Sequence, residues 1–250
     1  MTKQDWVIKV PAVTVTFWIV KIAATTLGET GGDAVSMSLN LGYLISTGIF
    51  AIIFLAAVTA QIRTNSFNPW LYWLTIIATT TVGTTLADFA DRSLGIGYPG
   101  GSALLLALLL ASLFIWYRTL GSIAVDTVSS PKAEGFYWLT IMFSQTLGTA
   151  LGDWTADSEG LGYVGAMIIF GGLLAFVAVL YFWTKVSRTA LFWTAFVLTR
   201  PLGAVVGDFL DKPLDHGGLA LSRFTASAAL LIFMIACIAF LSQRPAQRRH

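Results

Sequence analysis

The chain has 250 residues, of which 56% are hydrophobic and 11% charged, with a mean hydropathy of +0.76 and a formal net charge of +2. A soluble domain carries about 25% charged residues, so an ordinary globular enzyme is excluded. The 17 Phe and nine Trp exclude disorder, and the small net charge gives no case for nucleic-acid binding. What remains is an all-α integral membrane protein whose first partner is the lipid bilayer.

Eight segments have the roughly 20 mostly apolar residues needed to cross a bilayer: about 14–35, 41–62, 69–90, 98–117, 136–156, 161–184, 190–210 and 218–242. Lys21 and Glu29 interrupt any signal-peptide core in the first, which is therefore expected to be retained. The even-numbered segments are uniformly apolar, whereas the odd-numbered ones carry Thr, Gly and acidic residues toward their C-terminal ends. Cys237, the single Cys, lies within the last apolar run, so neither a disulfide framework nor a Cys-based metal site is available. Lys3, Lys9, Arg63, Arg118, Lys132, Lys185, Arg188, Arg244, Arg248 and Arg249, ten of 15 basic residues, fall on one side of this eight-span arrangement. That side is expected to be cytoplasmic and to hold both termini. Acid gathers on the other side, where Arg92 and Lys212 are the bases in the short loops.

The odd-numbered segments repeat one another. FWIVKIAATTLGETGGD (17–33), YWLTIIATTTVGTTLAD (72–88), YWLTIMFSQTLGTALGD (137–153) and FWTAFVLTRPLGAVVGD (192–208) superpose without a gap. Each opens on an aromatic–Trp pair and closes on Gly-x4-Asp, and LGY (41–43), IGY (96–98), LGY (161–163) and HGG (216–218) follow at a constant distance. The repeats begin 55, 65 and 55 residues apart, and the loop 126–135 absorbs the extra ten. This spacing divides the chain into a first membrane half, 1–125, and a second, 126–250.

With Trp18, Trp73, Trp138 and Trp193 in register, the chain resembles a bacterial integral membrane protein family built from four tandem two-span repeats of unknown function. The resemblance implies architecture and a multi-pass location in the bacterial inner (plasma) membrane; it implies no activity. Successive two-span repeats enter the membrane in the same direction, so they are parallel repeats about an axis along the membrane normal.

Within each odd segment the helical period gathers polar and small residues on one stripe. The stripes read Lys21, Thr25, Gly28, Glu29, Gly32, Asp33; then Ile76, Thr80, Gly83, Thr84, Ala87, Asp88; then Ile141, Gln145, Gly148, Thr149, Gly152, Asp153; then Phe196, Arg200, Gly203, Ala204, Gly207, Asp208. Such a stripe must face protein or water. The paired small residues serve close helix packing, and they also clear space beside the Thr and Asp.

Four Asp at one depth, directed at one axis, repel unless a cation, a shared proton or internal Arg and Lys intervenes. Asp33, Asp88, Asp153 and Asp208 with Glu29, and with Asp91, Asp157 and Asp211 near the same end, form the candidate metal set. Thr25, Thr80, Thr84, Gln145 and Thr149 are candidate supporting groups. Lys21 stands about 12 Å along the helix from Glu29, too far for a direct pair, and the two are a candidate proton-coupling couple. Arg200 precedes Pro201, which should bend the seventh helix, and Arg223 is placed to reach Asp208 or Asp211. Carboxylate and hydroxyl oxygens suit Mn²⁺, Mg²⁺ or Ca²⁺ better than copper or zinc. ETGGD (29–33) is similar to the acid-x-Gly-Asp signature of cation/proton exchangers for calcium and manganese, with the spacing changed by one residue and the Glu missing from three repeats.

The expectation is a transporter or exporter of a divalent cation, manganese first, with proton coupling through the same groups. The alternatives are a passive small-cation channel and a membrane sensor or structural protein with an internal ion-pair network. No HExxH, GxSxG, P-loop or haem ligand pair occurs, so no enzyme is expected. An oligomer is compatible with all three.

Overall fold

The structure is a computed structural model that describes residues 7–158 and 160–247. Lys3, Arg248 and Arg249, counted above toward the cytoplasmic side, lie outside the described residues. Eight α-helices follow one another: α1 (Val15–Asp33), α2 (Gly42–Arg63), α3 (Pro69–Asp88), α4 (Tyr98–Leu120), α5 (Pro131–Asp153), α6 (Gly162–Trp183), α7 (Arg188–Asp211) and α8 (Arg223–Phe240). Five of them, α2, α4, α6, α7 and α8, are long and apolar enough to cross a membrane. The other three, together with α7, carry the polar stripes.

Local chemistry places the ends. Thr14, Asn68, Ser130 and Ser187 each accept a hydrogen bond at the start of an odd-numbered helix, from the amides of Phe17, Leu71, Ala133 and Ala190. Pro69 and Pro131 take the first helical position, where a missing N–H costs nothing. The 126–135 segment was expected to be a loop; instead a short 3₁₀ turn, Val125–Thr127, leads into α5 at Pro131. The Ser-Pro pair is the reason. Helix α7 continues through Pro201 to Asp211, and α8 begins at Arg223, after Gly217 and Gly218. Gly42, Gly97, Gly162 and Gly217, the shared glycine of the LGY motifs, all have positive φ between +63° and +81°, which explains why each repeat keeps a glycine there.

The odd-numbered helices form a closed ring: α1 packs on α3 and α7, and α5 packs on the same two helices. Each outer helix then covers the inner helix of the following repeat: α2 lies on α3, α4 on α5, α6 on α7, and α8 returns to α1. At the end of the bundle away from the helix-terminal Asp, Ala12 N–H donates to the Arg244 carbonyl and Ala246 N–H to that of Val10, so the segments before α1 and after α8 are tied together. Lys9 anchors the same end, donating to the carbonyls of Gln61, Ile62 and Thr64 and pairing with Glu134 at 2.6 Å.

Small residues set the ring's diameter. Thr80 lies against Gly28, Gln145 against Gly83, Arg200 against Gly148 and Thr25 against Gly203, the same contact made four times between successive repeats. One turn further, Thr84 meets Gly32, Ala204 meets Gly152 and Glu29 meets Gly207. Thr hydroxyls reinforce the seams, Thr25 donating to the Thr199 carbonyl at 3.1 Å and Thr80 to that of Ala24 at 3.3 Å.

A Cβ on Gly207 would fall 2.7 Å from Glu29 Cβ, whereas one on Gly171 in α6 would meet nothing within 4 Å. Gly207→Val should therefore destabilise the protein by about 1–3 kcal/mol, as overpacked cores do, and Gly171→Val should not. Thermal unfolding of both variants in detergent tests the difference.

Candidate ion site on the ring axis

Four layers of side chains fill the axis, each contributed once by every repeat. The first is aromatic. Phe17, Tyr72, Tyr137 and Phe192 are buried, and each meets the Trp of the next repeat: Phe17–Trp73 at 5.5 Å, Tyr72–Trp138 at 5.6 Å, Tyr137–Trp193 at 6.2 Å and Phe192–Trp18 at 5.8 Å between ring centroids. The Tyr72 and Tyr137 hydroxyls share a 2.6 Å hydrogen bond across this layer. The Phe/Tyr–Trp spacing explains itself here: on a helix the first ring points at the axis and the second, about 100° around, at the seam with the preceding helix.

The second layer holds Lys21, Ile76, Ile141 and Phe196, all fully buried. Lys21 does not meet Glu29. Its ammonium lies 4.2 Å from the centroid of the Phe196 ring and 3.4 Å from Thr199 Oγ1.

Arg200 joins the next positions. Its Nη2 donates to Thr149 Oγ1 at 2.5 Å, to Thr84 Oγ1 at 2.6 Å and to Glu29 Oε2 at 3.0 Å, so one guanidinium bridges four inner helices. Thr84 also donates to Glu29 at 3.3 Å. Thr25 and Thr80 spend their hydroxyl protons on backbone carbonyls, and Gln145 is fully buried with neither amide atom hydrogen-bonded.

The fourth layer is the set of helix-terminal carboxylates, and it divides into two pairs. Arg92 bridges Asp88 at 3.0 Å and Asp153 at 3.2 Å. Lys212 bridges Asp33 at 2.6 Å and Asp208 at 2.9 Å. Arg223 reaches Asp211 at 3.0 Å, as its position in α8 led one to expect, and approaches Asp33 at 3.7 Å. Asp91 lies apart, against Gly101, and the exposed Asp157 accepts from the Tyr98 hydroxyl at 3.1 Å. Among the described residues, Glu29, Asp33 and Asp208 form the one group of three that brings carboxylate oxygens within 4.8 Å of one another.

The whole arrangement is repeated four times, and the repeats identify it. Residues 16–67, 71–122, 136–187 and 191–244 each match the family described as Repeat of Unknown Function (DUF347). The chain belongs to the DUF347 repeat family. Comparison with curated proteins and with solved structures yields no match.

Within the DUF347 repeat, Arg92 and Lys212 occupy one position, four residues after the conserved-in-register Asp, where repeats one and three have Met37 and Asp157. Sequence reading placed both cations in loops and looked to Arg200 and Arg223 instead. The signal was present, since an acid and a base four apart on a helix face each other. Burial opposes the charge on Lys212, but Asp208, Asp33 and Asp211 outweigh it and raise its pKa above the ordinary lysine value. Burial likewise opposes Arg92, and Asp88 with Asp153 raises it. A raised base contributes its stability below its unfolded pKa, about 10.4 for lysine and higher for arginine, and loses it only as pH climbs through the still higher folded value, so both bases stay charged at neutral pH.

Lys212→Met would leave two buried carboxylates facing each other, at a cost of about 3–5 kcal/mol. Adding Asp208→Asn should recover part of that loss. A double-mutant cycle on denaturation midpoints reads the coupling.

Proposed function

We propose that this protein is a transporter of a divalent metal cation, embedded in the bacterial inner membrane with eight spans and both termini cytoplasmic. The observation that carries the reading is the convergence of Glu29, Asp33 and Asp208, from α1 and α7, at the acidic end of the ring axis. Three carboxylates make a hard oxygen site suited to Mn²⁺, Mg²⁺ or Ca²⁺, with manganese the first candidate. Asp33 Oδ1 is buried and has no hydrogen-bond partner, which leaves a lone pair for an entering ion.

Lys212 then acts as a tethered cation. It sits between Asp33 and Asp208, and a divalent ion must displace its ammonium to use both carboxylates. The exchange leaves Asp33 and Asp208 with a counter-charge in both states, which avoids the penalty of an uncompensated pair of carboxylates. The aromatic layer closes the other end of the axis, so passage requires the inner helices to move. A pore that conducts without such motion fits this geometry less well.

A second reading rests on the same ion pairs. Arg92 and Lys212 between them bridge all four repeat Asp, and a network so complete would also serve a purely structural membrane protein. The two readings separate in proteoliposomes. Under the transport reading, protein reconstituted with manganese outside shows saturable Mn²⁺ flux, and Asp33→Asn with Asp208→Asn reduces it at least tenfold while the protein remains folded. Unchanged flux in the double variant would end the carboxylate-site proposal, and absence of flux with a lowered unfolding temperature alone would favour the structural one.

A further inference from the structure

The half of the axis nearer the aromatic layer has the opposite electrostatic character. Lys21 is fully buried and forms no ion pair with a carboxylate among the described residues; its neighbours, Thr199 Oγ1 and the Phe196 ring, are neutral. Arg200 is equally buried and uses only Nη2, leaving Nε and Nη1 without hydrogen-bond partners. Gln145, also fully buried, has both amide atoms unpartnered.

These groups share one region. Gln145 and Arg200 occupy equivalent positions on the adjacent helices α5 and α7, each set against a glycine of the preceding repeat. The Arg200 guanidinium is on the axis, because it reaches Glu29, Thr84 and Thr149 on the three other inner helices. Lys21 stands one turn, about 6 Å, nearer the aromatic layer on α1, and its hydrogen-bond partner Thr199 immediately precedes Arg200 on α7.

With Lys21 protonated, two cations and one carboxylate, Glu29, leave this interior one positive charge in excess. In a water-poor core that excess needs a counter-charge. The unpartnered guanidinium nitrogens of Arg200 and the remaining N–H groups of the Lys21 ammonium are all donors, and the Gln145 carboxamide can turn its NH₂ to join them. The two basic side chains repel a metal ion from this region.

We propose that Lys21, Arg200 and Gln145 form a binding site for a small monovalent anion of the halide class, one to two helical turns from the acidic end of the axis. The ammonium, the free guanidinium N–H groups and the carboxamide donate to the anion, which neutralises the excess charge. Its presence also offsets the positive field that Lys21 and Arg200 project toward Glu29. The site stands on its own donors and does not depend on the cation reading.

The test uses the full chain in detergent. Crystals grown with sodium bromide should give an anomalous peak between the Lys21 ammonium and the Arg200 guanidinium. At constant ionic strength, with gluconate replaced by chloride, the unfolding temperature should rise by about 3 °C once chloride reaches tenfold its dissociation constant. Lys21→Met and Gln145→Leu should abolish or flatten that rise. Asp33→Asn with Asp208→Asn should retain it, which separates this site from the proposed cation site. Density for water alone without a bromide peak, or an unfolding temperature indifferent to chloride in the unmutated protein, would overturn the proposal. Should Lys21→Met not fold, the bromide and chloride measurements on the unmutated protein decide the matter by themselves.

Discussion

Inner helices approach one another in this protein only because each repeat offers a small residue where the next repeat brings a side chain. Gly28, Gly83, Gly148 and Gly203 receive Thr80, Gln145, Arg200 and Thr25 in turn, and the fourth contact returns to the first helix. Lipid supplies no hydrophobic drive between helices, so packing and interhelical hydrogen bonds hold such a ring together. The rest follows from its closure. The aromatic rings meet in sequence around the axis, the Thr hydroxyls reach carbonyls of the preceding helix, and each outer helix covers the seam of the following repeat, with α8 completing the circle on α1.

Fourfold packing imposes a fourfold charge problem. A carboxylate that ends one inner helix ends all of them, and four buried acids cannot share an axis unaided. The solution has lower symmetry than the backbone. Only repeats two and four carry a base four residues after the Asp, so Arg92 serves Asp88 and Asp153 while Lys212 serves Asp33 and Asp208. The Lys212 pair gains Glu29 as a third carboxylate, because only the first repeat has an acid at that position. Symmetry breaking thus confines the candidate cation site to the α1–α7 seam. The same departure from symmetry puts Lys21 and Arg200 together on the side nearer the aromatic layer, so the axis is basic toward one end and acidic toward the other.

Much of this was legible in the residues. Helix extents, the register of the repeats, the polar stripe and the common depth of the Asp all follow from periodicities of 3.6 and 55 residues. The start of α5 was legible too, in the Ser130–Pro131 pair, but the extra ten residues between repeats were read as a loop because the repeat pattern outweighed a local signal. Arg92 and Lys212 were misjudged for a related reason. They follow the last residue of the shared motif, and a helix that continues as one π-helical turn, Phe89–Ser93, or to Asp211, keeps them on the face of the Asp where a loop would have carried them away.

By itself, the sequence determined that eight helices form, which face of each inner helix is polar, and that the four Asp end at one level; these are consequences of spacing along one helix. Tertiary structure alone decided the partners. Arg200 touches Glu29, Thr84 and Thr149, residues 171, 116 and 51 positions away, and Lys212 reaches Asp33 across 179. Helical period tells which side chains face inward but not which helices stand next to one another. That order is set by where a glycine lets a neighbour come close, and only the closed ring makes those choices together.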